Sequence, residues 1–190
     1  MISFDNTANA FEYKDNKQLK KANFLFTSMG YSWLVKIGTK ITPWAIRAGL
    51  PVKGLIRKTI FEQFIGGETL EETSAAVNKL AKFNVQVILD YGVEGGDYGE
   101  DEKDRSCDQF IKVVEYAATQ PNIPFISIKV TGIARFALLE KMDELMQKAE
   151  GTLVKRYEQT LEKLSTEERQ EWQRICNRME RICSLAAAKK

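Results

Sequence analysis

The chain has 190 residues, is 44% hydrophobic and 28% charged, and contains three cysteines, four prolines and no histidine. This composition is typical of one folded domain and excludes disordered, collagen-like and disulfide-scaffold classes. Without histidine, the chain alone forms neither a Ser-His-Asp or Cys-His catalytic group nor a histidine-ligated zinc site. The 28 basic and 26 acidic residues nearly balance, which argues against a dedicated nucleic-acid surface.

The sequence shows neither a targeting signal nor a membrane span. Its first residues lack a basic region followed by an apolar core. The longest apolar stretches are far shorter than the roughly 20 residues that a membrane-spanning helix needs. We therefore expect a cytoplasmic protein without a transmembrane segment.

Residues 1–60 are predicted to form an amino-terminal helical segment. Apolar residues recur there at three- and four-residue steps, as on one face of a helix: Leu19, Ala22, Leu25, Phe26, Met29 and Trp33. Pro43 and Pro51 then divide shorter helices.

Residues 61–190 are predicted to form three strand–helix units. The strands are expected in the apolar runs 61–65, 85–90 and 125–130, each followed by residues at helical spacing. Two of the helices are expected to begin at capping boxes, Thr69–Glu72 and Ser165–Glu168. Apolar strands joined by helices indicate a parallel sheet that is buried on both faces.

The predicted fold is α/β, an incomplete (β/α)8 TIM-type barrel in a single domain. A complete barrel needs eight such units and about 250 residues, so only the first three units follow the helical segment. Three strands leave a sheet edge unpaired. We expect the chain to form oligomers through that edge.

In such a barrel the functional face lies at the carboxyl ends of the strands. Lys129 lies near the end of the third apolar strand, where a buried ammonium group needs an anion. It is either an edge-strand lysine that blocks aggregation or a cation that binds a substrate carboxylate, a flavin or a phosphate oxygen. Asp90 and Glu94 end the second strand, either as solvated turn residues or as hydrogen-bonding groups around a polar ligand.

Three blocks in this order resemble the proline dehydrogenase family, especially its single-function bacterial form. Residues 63–69 (QFIGGET) are similar to the family's first barrel strand and turn. Residues 87–95 (VILDYGVEG) resemble the second strand with its aspartate and glutamate, and residues 125–132 (FISIKVTG) resemble the third strand with its lysine. The similarity extends from Phe4 to Lys190, as an amino-terminal portion only.

The resemblance implies a flavoprotein that oxidises L-proline to Δ1-pyrroline-5-carboxylate, with FAD as cofactor and a quinone at the membrane surface as electron acceptor. It implies a peripheral position at the inner membrane. Lys129 would hold the proline carboxylate and contact the cofactor, Glu94 would form an ion-pair gate with an arginine of the last barrel helix, and Asp90 would support the pocket. A flavin suits a chain without histidine, because the cofactor performs the redox step.

The family's later strands and paired arginines have no counterpart in these residues, so we expect the 190-residue piece alone to be inactive. Two alternatives remain open. One is a non-catalytic helical interaction protein that uses residues 1–64 and 165–190 as docking surfaces. The other is a different barrel enzyme that binds a small carboxylate or phosphate through Lys129.

Overall fold

The computed structural model describes residues 5–93 and 99–189. The chain divides into two compact units, of which the first ends at Val85 and the second begins at Gln86. The sequence predicts a helical segment in residues 1–60 and barrel units in residues 61–190. The boundary at Val85 separates compact units and does not test which residues join a barrel, so the predicted boundary stays a prediction.

The described residues of the first unit form helices and connecting turns. The helices are α1 (Thr7–Ala10), α2 (Asn16–Met29), α3 (Ser32–Arg47), α4 (Lys53–Ile56), α5 (Glu62–Phe64) and α6 (Leu70–Ala81), with a π-helical turn (Arg57–Phe61) joining α4 to α5. The side chain of Asp15 caps α2 by accepting a hydrogen bond from the backbone N–H of Gln18.

Residues 61–65, which were expected to be the first strand, are mostly helical, and this prediction is wrong. Phe61 ends the π-helical turn, Glu62–Phe64 forms α5, and the N–H of Ile65 donates to the carbonyl of Phe61 at 2.8 Å. An apolar run this short does not distinguish a strand from a buried helix. Since the described part of this unit contains no strand to pair with it, local hydrogen bonds satisfy its backbone instead.

The second unit combines helices with a short parallel sheet. Its elements are β1 (Ile88–Asp90), α7 (Glu100–Ala118), β2 (Phe125–Ser127), a 3-10 turn (Val130–Gly132), α8 (Phe136–Lys148), α9 (Leu153–Glu162) and α10 (Thr166–Ala188). The strands pair in parallel, with Leu89 opposite Ile126 and Asp90 opposite Ser127. Both strands are shorter than expected, but their parallel pairing around a connecting helix is as predicted. Whether they belong to a barrel stays a prediction.

The core of the second unit lies between the sheet, α7 and α10, and a neighbouring cluster joins α8 to α10. The first cluster contains Cys107, Phe110, Val114, Ile133 and Ile182. The second contains Ala134, Leu138, Met142, Leu164 and Ile175. These residues recur at helical spacing, so burial of one stripe on each helix fixes the helices against the sheet.

Only one of the two predicted capping boxes is complete. Ser165 and Glu168 exchange side-chain-to-backbone hydrogen bonds at the start of α10. At α6 the Thr69 hydroxyl accepts from the N–H of Glu72, but the Glu72 carboxylate accepts from the N–H of Glu68. The N–H of Glu68, one residue before the cap, therefore donates the hydrogen bond that the sequence predicted for the N–H of Thr69.

Candidate functional site at the carboxyl ends of the strands

The two faces of the parallel sheet have different surroundings. Leu89 is 8% exposed and Ile126 packs on the core beside α7, so this face of the sheet is covered. Ile88 and Phe125 are 60% and 68% exposed on the opposite face. Because side chains alternate along a strand, residues two positions further on lie on that same uncovered face.

Asp90 lies two residues after Ile88 and Lys129 lies four residues after Phe125, so both are in phase with the exposed residues. Asp90 ends β1, and Lys129 lies two residues beyond the end of β2, with its backbone still extended. The Lys129 Nζ atom lies 3.3 Å from Oδ2 of Asp90, and the two side chains are 31% and 49% exposed. The structure therefore brings these two sequence-predicted residues together at the carboxyl edge of the sheet. Glu94, the third predicted residue, lies outside the described residues.

An ammonium group beside a carboxylate presents both signs of charge to a small zwitterion. The ammonium can bind a carboxylate, phosphate or flavin oxygen through charge-assisted hydrogen bonds, while the carboxylate can accept a hydrogen bond from an amine. Neither group is fully desolvated, so both remain accessible to a ligand at this edge. The roles given to Lys129 and Asp90 stay predictions.

Gly132 lets the loop after β1 approach the turn after β2. It is buried, and a Cβ atom built on it would lie 3.0 Å from Cγ1 and 3.3 Å from Cβ of Val93. Such distances are tighter than ordinary packing allows, so a larger residue would push Val93 away. The Val93–Gly132 contact thus holds together the two segments that follow Asp90 and Lys129 in the chain.

A cleft of about 460 Å³ lies beside the end of β1. It is lined by Tyr91, Gly92, Val93, Glu102, Arg105, Ser106 and Gln109. Arg105 and Glu102 form an exposed ion pair at 3.5 Å within this lining. Asp90 and Lys129 are not among the lining residues, so this cleft is separate from the ion pair on the uncovered sheet face.

The described residues fit only a small part of a flavin cofactor. Lys129 is a cation of the kind that binds a flavin oxygen, and it lies at an accessible strand end. The uncovered face carrying Ile88 and Phe125 offers an apolar surface next to it. These residues would hold one edge of the ring system.

The most extensive electrostatic feature of the second unit is a buried charge network that the sequence did not predict. The Lys103 ammonium lies 2.8 Å from Glu100 and 3.3 Å from Glu171. Arg135 donates to both carboxylate oxygens of Glu171, at 3.2 and 2.8 Å. This hydrogen bond from Arg135 lowers the pKa of Glu171, against the opposing effect of burial.

Arg178 is the most buried cation of this network, at 2% exposure. It donates to Glu100 Oε2 at 2.8 Å, to Asp104 Oδ1 at 2.7 Å and to the carbonyl of Ile133 at 3.1 Å. Arg174 also donates to Glu100. Burial raises the pKa of Glu100, but the hydrogen bonds from Lys103, Arg178 and Arg174 outweigh it and lower that pKa to about 2. The network therefore joins α7 to α10 through charge-assisted hydrogen bonds.

A sequence signal for this network existed. Lys103 lies four residues before Cys107, on the stripe that also buries Phe110. Likewise Glu171 and Arg178 are in phase with the buried residues of α10. A charged residue at a core position of an amphipathic stripe predicts a buried partner of opposite charge.

None of the described helices is both long and apolar enough to cross a membrane.

Comparison with known proteins gives partial matches. The chain is 32% identical over 96 residues to proline dehydrogenase 1, mitochondrial, of Dictyostelium discoideum, covering 50% of this chain and 17% of that protein. It is 30% identical over 133 residues to proline dehydrogenase 1, mitochondrial, of Caenorhabditis elegans, covering 68% of this chain and 22% of that protein. The similarity points to the proline dehydrogenase family.

A third match is the carbapenem antibiotics biosynthesis protein CarD of Pectobacterium carotovorum subsp. carotovorum, at 30% identity over 81 residues, 43% of this chain and 21% of that protein. No family model matches the chain, and no solved structure is significantly similar to it. The chain spans about a fifth of the length of these proline dehydrogenases.

Proposed function

We propose that this chain supplies the amino-terminal portion of a proline dehydrogenase of the single-function bacterial form, which oxidises L-proline to Δ1-pyrroline-5-carboxylate. The observation that carries the proposal is the Lys129–Asp90 pair at the carboxyl ends of two parallel strands. The similarity to proteins named proline dehydrogenase also supports the proposal.

The fold proposed for the complete enzyme is a (β/α)8 barrel, of which the second unit would contribute early strand–helix units. The uncovered sheet face supports this proposal. Ile88 and Phe125 are large apolar residues that are 60% and 68% exposed. In a closed barrel that face is the packed interior, where further strands cover such residues. The helices already cover the other face, as they do on the outside of a barrel.

The proposed roles follow from charge and position. Lys129 binds the proline carboxylate and helps to hold the cofactor, while Asp90 orients the lysine and supports the pocket. Glu94, by resemblance, forms an ion-pair gate with an arginine elsewhere in the enzyme. FAD, when bound, supplies the acceptor for the hydride from the proline ring, and a quinone at the membrane surface receives the electrons. The enzyme would act at the cytoplasmic side of the membrane.

The central experiment replaces Lys129 with methionine in the full-length protein and measures the Kd of L-proline together with the flavin content. Loss of one charge-assisted hydrogen bond costs about 1.5–3 kcal/mol, so we expect proline affinity to fall about ten- to hundredfold while flavin absorbance is retained. Lys112→Met, on the exposed side of α7, is the matched control. Unchanged affinity in Lys129→Met would remove this residue from the substrate pocket.

The alternatives predict different spectra. A non-catalytic interaction protein is colourless when purified at full length, whereas a flavoenzyme is yellow. A barrel enzyme for another small carboxylate is distinguished by its response to L-proline. If it binds flavin, L-proline does not reduce that flavin. We expect the 190-residue chain alone to show no proline oxidation and to self-associate through its open strand edge.

A further inference from the structure

The first unit contains a cavity of about 340 Å³. Part of its wall comes from α2, where Gln18, Ala22 and Leu25 follow one another at steps of four and three residues and so share one face of the helix. Another part comes from α6, where Ala76 and Leu80 are four residues apart. Because each helix contributes an alanine, the lining leaves space that a longer side chain would fill.

The lining of this cavity contains more cations than anions. Three lysines contribute to it, Lys14, Lys21 and Lys79, against one carboxylate, that of Glu62. That carboxylate already pairs with Lys21. The three lysines are half-buried, whereas Lys20, the neighbouring lysine of α2, is exposed. The cavity therefore has an excess of positive charge that is partly shielded from water.

Lys14 and Lys79 form no ion pair with any carboxylate of the described residues. The Lys14 ammonium donates to Oε1 of Gln63 at 3.1 Å, and the Lys79 ammonium donates to Oε1 of Gln18 at 3.1 Å. Both nitrogen atoms also lie near the ring of Tyr13, 5.6 and 5.8 Å from its centroid. An ammonium group has three N–H donors, so each lysine keeps donors for an anion.

Apolar and aromatic side chains form the rest of the lining. Phe64, the last residue of α5, lines the cavity together with Leu25 and Leu80. The Phe64 ring packs edge to face against Phe26, with 5.8 Å between the ring centroids and an interplanar angle of 83°, so a neighbour holds its orientation. Tyr13 adds a second ring to the lining. A flat apolar ligand would gain both burial and ring contacts in this cavity.

We propose that the cavity binds a small aromatic carboxylate, with its carboxylate on the ammonium groups of Lys14 and Lys79 and its ring beside Phe64. Charge-assisted hydrogen bonds hold the anionic end, and the apolar lining buries the ring. The volume lies at the low end of the range for small-molecule sites and suits a ligand of one or two rings. Inorganic phosphate would leave the apolar lining without a partner. The proposal does not rest on the proposed oxidation of proline, because the lining includes neither member of the Asp90–Lys129 pair.

The experiment titrates 2-naphthoate into the full-length protein and measures binding by isothermal titration calorimetry, with 2-naphthamide as the uncharged counterpart. We expect a Kd on the order of 0.1 mM for the carboxylate. The amide should bind at least about tenfold more weakly, because it lacks the negative charge that pairs with the lysines. Lys14→Met and Lys79→Met should each weaken the binding of 2-naphthoate about tenfold for the same reason.

A second kind of variant fills the cavity without changing its charge. Ala22→Leu and Ala76→Leu each add a longer side chain to the lining, and leucine is a good helix former, so α2 and α6 should be retained. Each should weaken the binding of 2-naphthoate at least about tenfold, because the ring loses its space. The matched controls are Ala75→Leu and Lys82→Met, which change exposed residues outside the lining and should keep the wild-type affinity. The lysine variants keep the apolar lining, so they remain informative if a leucine variant fails to fold by circular dichroism.

The proposal is overturned if 2-naphthoate does not bind the wild-type protein, if the amide binds as tightly, or if an equal concentration of inorganic phosphate displaces the naphthoate. It is also overturned if a folded Lys79→Met or Ala76→Leu variant keeps the wild-type affinity, or if the controls lose as much. Lys129→Met should bind 2-naphthoate as the wild type does, and loss of binding there would move the ligand to the proposed proline pocket. Reduction of the flavin by L-proline, measured on the same wild-type preparation, tests the proposed function separately.

Discussion

Arg178 and Glu100 are 78 residues apart in the chain, yet their side chains meet at 2.8 Å between α10 and α7. Two further pairs, Arg174–Glu100 and Arg181–Asp108, show that the helices run in the same direction, because both partners advance along the chain together. Helices that follow successive parallel strands have this relative direction. The ion pairs therefore fix the orientation of the carboxyl-terminal helix.

Replacing Arg178 with alanine should destabilise the protein strongly. The change removes the buried donor to Asp104 and to the carbonyl of Ile133 and one of the three cations that donate to Glu100, and breaking a buried ion pair costs about 3–5 kcal/mol. Urea unfolding followed by circular dichroism measures the free energy of unfolding.

Arg181→Ala is the control for this prediction. Arg181 also pairs with an aspartate of α7 at 2.8 Å, but its side chain is 54% exposed. An exposed pair contributes about 0–1 kcal/mol, so this variant should remain close to wild type. Equal losses in the two variants would show that burial of Arg178 is not what gives the pair its strength.

The stability of the protein should fall in acid because of Glu100. Its pKa is about 2 in the folded protein, below the ordinary value of 4.5, so the ionised carboxylate stabilises the folded state. That contribution is complete above about pH 4.5 and is lost as the pH falls through about 2. After allowance for partial exposure we expect about 2 kcal/mol, measured as the difference between wild type and Glu100→Gln at neutral pH.

In Glu100→Gln the free energy of unfolding should depend less on pH between about 4.5 and 2 than in the wild type. Glu140→Gln, an exposed position on α8, should keep the wild-type dependence. A wild-type slope in the Glu100 variant would assign the acid sensitivity to other carboxylates.

Gly132→Ala should cost about 1–3 kcal/mol, because the new Cβ would meet Val93 at 3.0 Å. Gly92→Ala is the matched control, since a Cβ there meets no atom within 4 Å. A second substitution, Val93→Ala, should recover part of the loss in Gly132→Ala if the two side chains are directly coupled. Thermal unfolding of the wild type, Gly132→Ala, Val93→Ala and the double variant measures this coupling. Additive losses in the two single variants would contradict it.

Asp90→Asn tests whether Asp90 positions Lys129. The ion pair is exposed and spans 3.3 Å, so its removal should change the free energy of unfolding by less than about 1 kcal/mol. Proline affinity of the full-length enzyme should nevertheless fall about two- to fivefold, because the lysine loses the carboxylate that orients it. Tighter proline binding in Asp90→Asn would mean that Asp90 competes with the substrate for Lys129.

Local pattern predicted part of the fold well. The parallel pairing of β1 with β2 and the capping box of α10 agree with the structure, since apolar runs with turns and reciprocal caps are local signals. The run 61–65 misled because five apolar-rich residues fit either a strand or a helical turn. Only the availability of a neighbouring strand decides between them.

The amino-acid sequence alone determined that Asp90 and Lys129 lie at the ends of apolar runs, because residue order and hydrophobic period are local properties. Tertiary packing decided that their charges meet, that one sheet face stays open, and that Arg178 is buried among the carboxylates of a distant helix. Those outcomes depend on which surfaces come together when the chain is desolvated. The free energy of a charge depends on its partners in space, and a linear pattern does not specify them.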